Sequence, residues 1–307
     1  MGLSDALGGV TVLERDGRLA VSLCGLLLRG LGASVVRWER DDLRFPDLSP
    51  EASLRALQAV RNGKECYRCA ESTQPAAPTW EQLLQRADVV LLEPERAGEP
   101  AALAAGSRIV CSVSAFGLDA PGGRASPEVE LQAQAGLMAA TGTFGGPPEP
   151  IGIPVLEMVT ALNAATAVLG ALRDRSDVGR LLDIALFDGS LALFTTFVGT
   201  VHAGKARGYR LGAAHHLCAP WNVYRTKDGW LQLCSANDDE WRKVLEVIGR
   251  RDLLADERYR NGGARVAHVA EVDGLVSAWT AARSTEDAVT VFQVAGLPGG
   301  RGRRIPD

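Results

Sequence analysis

The sequence predicts an α/β protein, with a Rossmann-like parallel sheet domain followed by a second, smaller α/β domain. Two observations carry this. Apolar runs of period two alternate with helical stretches through the first half, and strands separated by helices give a parallel sheet with helices on both faces. After about Gly204 the composition shifts to clustered Gly, Arg and His, and a hairpin signal follows.

The first unit opens with a strand at Val10 to Leu13, a helix over about Arg18 to Leu31 and, after a turn at Gly32, a strand at Ser34 to Trp38. A helix near Trp80 to Arg86 leads into a strand at Ala87 to Leu92, and a short Ala-rich helix precedes another at Arg108 to Ser114. Two Ala-rich helical stretches, about 128–141 and 156–175, are joined by Gly142 to Pro154, a loop dense in Gly and Pro. Arg180 to Leu186 reads as a strand and Phe187 to His202 as a helix. The domains therefore divide as 1–204 and 205–307. In the second, Trp221 to Tyr224 and Trp230 to Leu233 flank the turn Lys227-Asp228-Gly229. Helices are expected at about Asp238 to Ile248, Val269 to Ala281 and Ser284 to Ala295, with Gly299 to Asp307 a frayed tail.

Composition narrows the function classes. The 307 residues are 46% hydrophobic and 23% charged with a formal net charge of -4, so there is no basic field for nucleic acid and no signature of disorder. Six cysteines are too few for a disulfide framework, and the start lacks the basic and apolar regions of a secretory signal, so a cytoplasmic location is expected. The apolar run Leu186 to Val201 is broken by Asp188, Gly189 and Ser190, which argues against a membrane span. Cys66 and Cys69 form a C-x-x-C without a second pair or a His pair at ligand spacing, so no metal is expected. A dinucleotide fold of the usual kind needs G-x-G-x-x-G after the first strand, and Glu14-Arg15-Asp16-Gly17 stands there instead. There is no P-loop and no G-x-S-x-G elbow.

A series of local patterns runs in order along nearly the whole chain. It comprises Gly32 to Glu39 (GASVVRWE), Arg61-Asn62-Gly63-Lys64, Ala87-Asp88-Val89-Val90, Ser112 to Gly117 (SVSAFG) and Gln132 to Met138. It continues with Gly179-Arg180 through Asp183 to Leu186, Ala219-Pro220-Trp221, Asp228-Gly229-Trp230, Asp256 to Tyr259 and Ala264-Arg265-Val266. In this order and spacing the chain resembles the class III coenzyme A transferases, the family of formyl-CoA transferase and α-methylacyl-CoA racemase.

The resemblance implies an enzyme that moves CoA between an acyl thioester and a carboxylic acid. In the family an Asp at the start of the long Ala-rich helix attacks the thioester, passing through a mixed anhydride to an enzyme-bound CoA thioester. Glu157 matches that position, still a carboxylate but one methylene longer. Glu128 matches a second active-site acid of formyl-CoA transferase, and two carboxylates in one pocket raise each other's proton affinity. Leu19-Ala20-Val21-Ser22 replaces the family's Ala-Gly-Pro turn, removing a polar contact. Pro127 occupies the racemase branch's His position, so racemisation is disfavoured.

Arg37 and Arg40, at the end of the second strand, are expected either to meet coenzyme A phosphates, because open α/β sheets bind ligands at strand C-terminal ends, or simply to be solvated at the surface. The resemblance also implies a homodimer, interlocked in the family, with coenzyme A entering as substrate thioester. The family's C-terminal return segment looks short or missing. Two other readings stay open: a repurposed or non-catalytic fold binding an acyl-CoA or acyl-carrier thioester, and non-covalent thioester chemistry. The pair His215-His216 is expected to position the fold, and the Gly- and Pro-rich loop to cover the thioester or simply to connect helices.

Overall fold

The computed structural model describes residues 3–39, 49–68, 78–96, 98–104, 106, 108–120, 126–174, 178–195, 199 and 210–303. The chain divides into two compact units, Met1–Met138 with Pro150–Lys205, and Ala139–Glu149 with Ala206–Asp307. The Gly- and Pro-rich loop, expected either to cover the thioester or simply to connect helices, belongs largely to the second unit. There the Gly142 carbonyl accepts the Gly212 N–H at 3.0 Å.

The first unit is built on six strands: β1 (Thr11–Arg15), β2 (Ser34–Glu39), β3 (Glu65–Arg68), β4 (Val89–Leu92), β5 (Ile109–Ser114) and β6 (Arg180–Ala185). Their order is β3-β2-β1-β4-β5-β6 and every pair is parallel. Strand alternation explains the two cores. Val12, Val89, Leu91, Cys111 and Val113 face one layer, while Leu13, Val90, Leu92 and Val110 face the other. The order reverses between β1 and β4, and the crevice beyond their C-terminal ends is where such sheets hold ligands.

Helix α1 (Leu19–Gly30) follows β1 directly, with Ala20, Val21, Cys24 and Leu28 buried. Helix α2 (Pro50–Arg61) starts with Pro after the N-cap Ser49, whose hydroxyl accepts the Ala52 N–H. It returns the chain to edge strand β3, a short polar strand with little apolar pattern to betray it. Helices α3 (Trp80–Leu84), held by a Thr79–Gln82 capping box, and α4 (Glu99–Leu103) flank β4. Then come α5 (Glu128–Gln134), α6 (Leu137–Ala140), α7 (Val155–Arg173) and α8 (Leu186–Leu193).

Helix α7 is long and apolar enough to cross a bilayer by length and composition. Here Leu156, Ala161, Ala164, Ala165 and Val168 lie in the main core with α1 and α8. The helix expected over Phe187 to His202 is described as Leu186–Leu193; most of 196–209, the expected boundary at Gly204 included, lies outside the described residues.

In the second unit β7 (Trp221–Arg225) and β8 (Trp230–Cys234) form the expected antiparallel hairpin. Of the expected frayed tail, Gly299–Arg301 instead forms a third strand, β9, antiparallel to β8, while 304–307 lie outside the described residues. Backbone pairing needs no side chains, so a glycine pair serves, and buried Leu297 anchors the approach. Helices α9 (Asp238–Val247), α10 (Gly262–Ala267), α11 (Val269–Thr280) and α12 (Thr285–Val294) follow, and Trp241, Val244, Val272, Val276 and Phe292 share one core with Tyr224, Leu231 and Leu233 of the sheet. Two of the patterns noted above are structural here. The Arg265 guanidinium bonds the Ala219 and Tyr259 carbonyls and Asp238, and Asp228 accepts the Thr285 N–H at the start of α12. His215 stacks between Trp221 and His216, with ring centroids 4.6 Å apart in each pair.

Candidate active site

The loop between β1 and α1 runs directly past the sheet's point of reversal, and Gly17 lies within it at a φ of 157°. A Cβ there would stand 2.9 Å from Glu93 Cβ, so glycine allows the chain leaving β1 to pass the chain leaving β4. Arg15 fixes that neighbour through the Glu93 carbonyl at 2.6 Å and Glu99 at 2.5 Å. The next cation, Arg18, faces inward.

Arg18 gathers the centre of the site. Its Nε lies 3.1 Å from Glu157 Oε1, as does its Nη2, which also donates to the Ser126 carbonyl at 2.8 Å. Its Nη1 donates to Glu93 at 3.3 Å. The other oxygen of Glu157, Oε2, accepts the Ala20 backbone N–H at 2.7 Å. That N–H belongs to the first turn of α1, where an anion is favoured by unpaired amides and the helix dipole. Glu157 is only 6% exposed. Burial pushes its carboxyl above the ordinary carboxylate range; Arg18 and the Ala20 N–H pull it back, while Glu128 and Glu93 add to the rise.

Glu128 sits beside Glu157 as the resemblance implies, but it meets the helix rather than the other carboxyl group. Its Oε1 accepts the Leu156 N–H at 3.0 Å and its Oε2 the Glu157 N–H at 3.1 Å, so it caps the start of α7. Gln132 donates to Oε1 at 2.8 Å and accepts the Ile151 N–H at 2.9 Å, tying the segment before α7 to α5. The mutual rise expected of two acids is present for Glu157, with burial the larger cause.

The expectation for Arg37 needs correction. Its guanidinium is wholly buried between β1, β2 and α1, where it pairs with Glu14, Glu39 (2.9 Å) and the Ser22 hydroxyl (2.8 Å). Lys64 joins through Glu14 at 2.6 Å and Arg61 through Glu39 at 2.6 Å. Alternation along β2 turns Arg37 into the fold, so it offers no surface to a phosphate in this arrangement. Arg40 lies outside the described residues, as does Cys69.

Three groups of the site were not legible as such: Arg18, Glu93 and the Ala20 N–H. The Leu19 to Ser22 segment was expected to lack a polar contact, yet Arg18 immediately before it supplies one. The available signal was a single cation between a strand and a helix start, where a cation is disfavoured by the dipole and thus calls for a partner. That partner, Glu157, is 139 residues away. Among the described residues no group of three His, Cys, Asp or Glu side chains is placed to hold a metal ion.

Comparison with known proteins extends the picture. The model of CoA-transferase family III matches residues 7–307. A succinate–glutarate CoA-transferase of Agrobacterium fabrum is 29% identical over 316 residues, covering 96% of this chain and 79% of that one. A succinyl-CoA:mesaconate CoA-transferase of Haloarcula hispanica is 28% identical, covering 94% and 78%. Among solved structures, a CaiB/BaiF family protein from Brucella suis superposes with a TM-score of 0.78 at 26% identity, covering 98% of this chain and 84% of that one. The chain belongs to CoA-transferase family III.

Proposed function

We propose that the protein transfers coenzyme A between an acyl-CoA thioester and a carboxylic acid, with the Glu157 carboxylate as nucleophile. One observation carries this reading: in a family III chain, a buried carboxylate stands beyond the strand ends where the sheet order reverses, oriented by Arg18 and the Ala20 N–H. The relatives named above act on succinyl, glutaryl and mesaconyl groups by their names, and this supports small dicarboxylic acids as the first substrates to try.

In this reading Glu157 attacks the thioester carbonyl, the C–S bond breaks and coenzyme A leaves as thiolate, giving a mixed anhydride. The thiolate then attacks the Glu157 carbonyl carbon and expels the donor acid as carboxylate, leaving a Glu157–CoA thioester. An acceptor carboxylate reverses both steps. Each attack on the Glu157 carbonyl places negative charge on an oxygen, and the Ala20 N–H is the donor aimed at that atom. Glu128 holds the first turn of α7, and so the nucleophile's backbone, in place.

The test is incubation with succinyl-CoA and glutarate, with mass spectrometry for glutaryl-CoA and for an adduct on the Glu157 peptide, trapped by hydroxylamine as a hydroxamate. Exchange together with the adduct supports the reading. The second reading, a family fold that binds a thioester without transferring it, draws on both Glu157 oxygens already having partners. Saturable succinyl-CoA binding without exchange or adduct would favour it.

A further inference from the structure

We propose that Arg18 is the carboxylate receptor of the acylated enzyme: once Glu157 is a CoA thioester, the guanidinium it frees takes the carboxylate of the incoming acid and sets it against the Glu157 carbonyl. This rests on the covalent reading above.

Charge conservation leads to it. In the resting protein the buried Arg18 cation faces the buried Glu157 anion, and two of its nitrogens lie 3.1 Å from a single oxygen, Oε1. Formation of the thioester converts Glu157 into a neutral group and removes that anion without moving Arg18. The Ser126 carbonyl and Glu93 still hold the guanidinium, at 2.8 and 3.3 Å, so it stays in place with one edge released. Leaving such an edge buried and unpaired is costly. The species that must approach next is itself a carboxylate, and an Arg fork matches carboxylate geometry. Its arrival restores the charge balance of the resting site, within reach of the carbon it must attack. The partner that anchors Arg18 from the other side, Glu93, is the more solvent-exposed of its two acids, so the cation stands between the buried nucleophile and the wetter edge of the site.

The division of labour follows from the two oxygens of Glu157. The Ala20 N–H stays with the carbonyl oxygen throughout, whereas Arg18 alternates between Glu157 in the resting enzyme and a substrate carboxylate in the acylated one. No further reactant is needed. Glutarate oxygen bonds to the Glu157 carbonyl carbon, the C–S bond breaks, and the thiolate then attacks the glutaryl carbonyl and expels the Glu157 carboxylate.

The experiment separates a carboxylate receptor from a merely structural residue. The Glu157–CoA thioester is made with succinyl-CoA, freed of succinate by desalting, and challenged with glutarate or with neutral hydroxylamine. In Arg18→Gln the ratio of the glutarate to the hydroxylamine rate constant should fall roughly 10- to 100-fold, the scale of hydrogen bonds to a charged group. Arg18→Lys, which keeps the charge and loses the fork, should lower the ratio by a smaller factor. An unchanged ratio in Arg18→Gln overturns the proposal and leaves the covalent reading standing; if that variant does not fold, an unchanged ratio in Arg18→Lys does the same. Absence of any thioester adduct in the wild-type protein overturns the covalent reading and this proposal with it.

Discussion

The carboxylate of Glu128 accepts the backbone N–H of Glu157 at 3.1 Å while the carboxylate of Glu157 accepts the backbone N–H of Ala20 at 2.7 Å. Each acid thus caps a helix, and the two caps are linked in series: α5 positions the start of α7, and α7 positions its third residue, Glu157, against the start of α1. Removing Glu128 therefore reaches the nucleophile through the backbone. Glu128→Ala leaves two buried N–H groups without their acceptor and should destabilise the fold by about 1–3 kcal/mol, read as a lower urea midpoint at unchanged slope. Turnover should fall as well, with Glu128→Gln intermediate because its amide retains one accepting oxygen. A Glu128→Ala protein as stable as wild type would show that the cap contributes nothing.

Both carboxylate oxygens of Glu157 are engaged, one by Arg18 and the other by the Ala20 N–H. The resemblance implies an acid one methylene shorter at the matching position of the family. Glu157→Asp should fall short of one or both partners, and a displacement of about 1 Å at a reacting atom costs on the order of 10²-fold in rate. Glu157→Gln keeps the shape and loses the nucleophile, so turnover should drop by at least about 10³-fold. Steady-state succinyl-CoA:glutarate exchange measures both. An Asp variant at or above wild-type rate would mean that the pocket is not fitted to Glu.

The pH profile tests the electrostatics. A nucleophilic carboxylate must be ionised, and burial raises the Glu157 carboxyl above its ordinary value. The acid limb of kcat/KM should therefore lie above the ordinary glutamate value of about 4.3. Arg18 is the largest influence pulling the other way, so Arg18→Gln should move the limb further up. The stability sign is opposite to that of a paired surface acid: a raised folded-state pKa favours the proton in the native state. Its stabilising contribution is present below the unfolded value and lost as pH rises through the folded one. A limb that moves down in Arg18→Gln would contradict this assignment.

The architecture was readable because its signals are local. Apolar runs of β1, β4 and β5 alternate with helices, and the Asp228-Gly229 turn joins two alternating strands. Elements without such a signal escaped: β3 carries the polar sequence ECYR at a sheet edge, and β9 consists of two glycines and an arginine. At the site, Glu157 and Glu128 were legible through the resemblance alone, since nothing local distinguishes an acid in a first helical turn from any other. Arg18 was not legible because its partners at 93, 126 and 157 meet only when the sheet forms. Arg37 misled because an Arg at a strand end looks like a ligand contact until pleating decides which face it takes.

Met158 and Leu162, one helical turn apart on α7, are 48% and 56% exposed, and Leu191 on α8 is 62% exposed. Helix α8 packs on α7, with Gly189 against Thr160 and Asn163. Apolar side chains of this size left open on two adjoining helices fit the homodimer that the resemblance implies, and we propose that a second copy covers them. Sedimentation velocity at micromolar concentration should give a dimer, and Leu162→Arg should shift it toward monomer. A wild-type protein that sediments as a monomer across that range would end this proposal.

The buried cluster of Glu14, Arg37, Glu39, Lys64 and Arg61 distinguishes a structural from a ligand-binding arginine. Arg37→Ala leaves Glu14 with Lys64 alone and Glu39 with the partly exposed Arg61. Breaking a buried pair from one side costs about 3–5 kcal/mol, so the variant should unfold at a much lower temperature or accumulate poorly. Gly25→Ala attacks the same cluster from α1, because a Cβ there would overlap Glu14 Oε2 and displace the carboxylate from its two cations. Both effects should appear in thermal unfolding without any coenzyme A present. If Arg37→Ala instead kept the wild-type melting temperature and weakened only succinyl-CoA binding, the guanidinium would have to reach the ligand after all, and the closed cluster could not be the state that binds it.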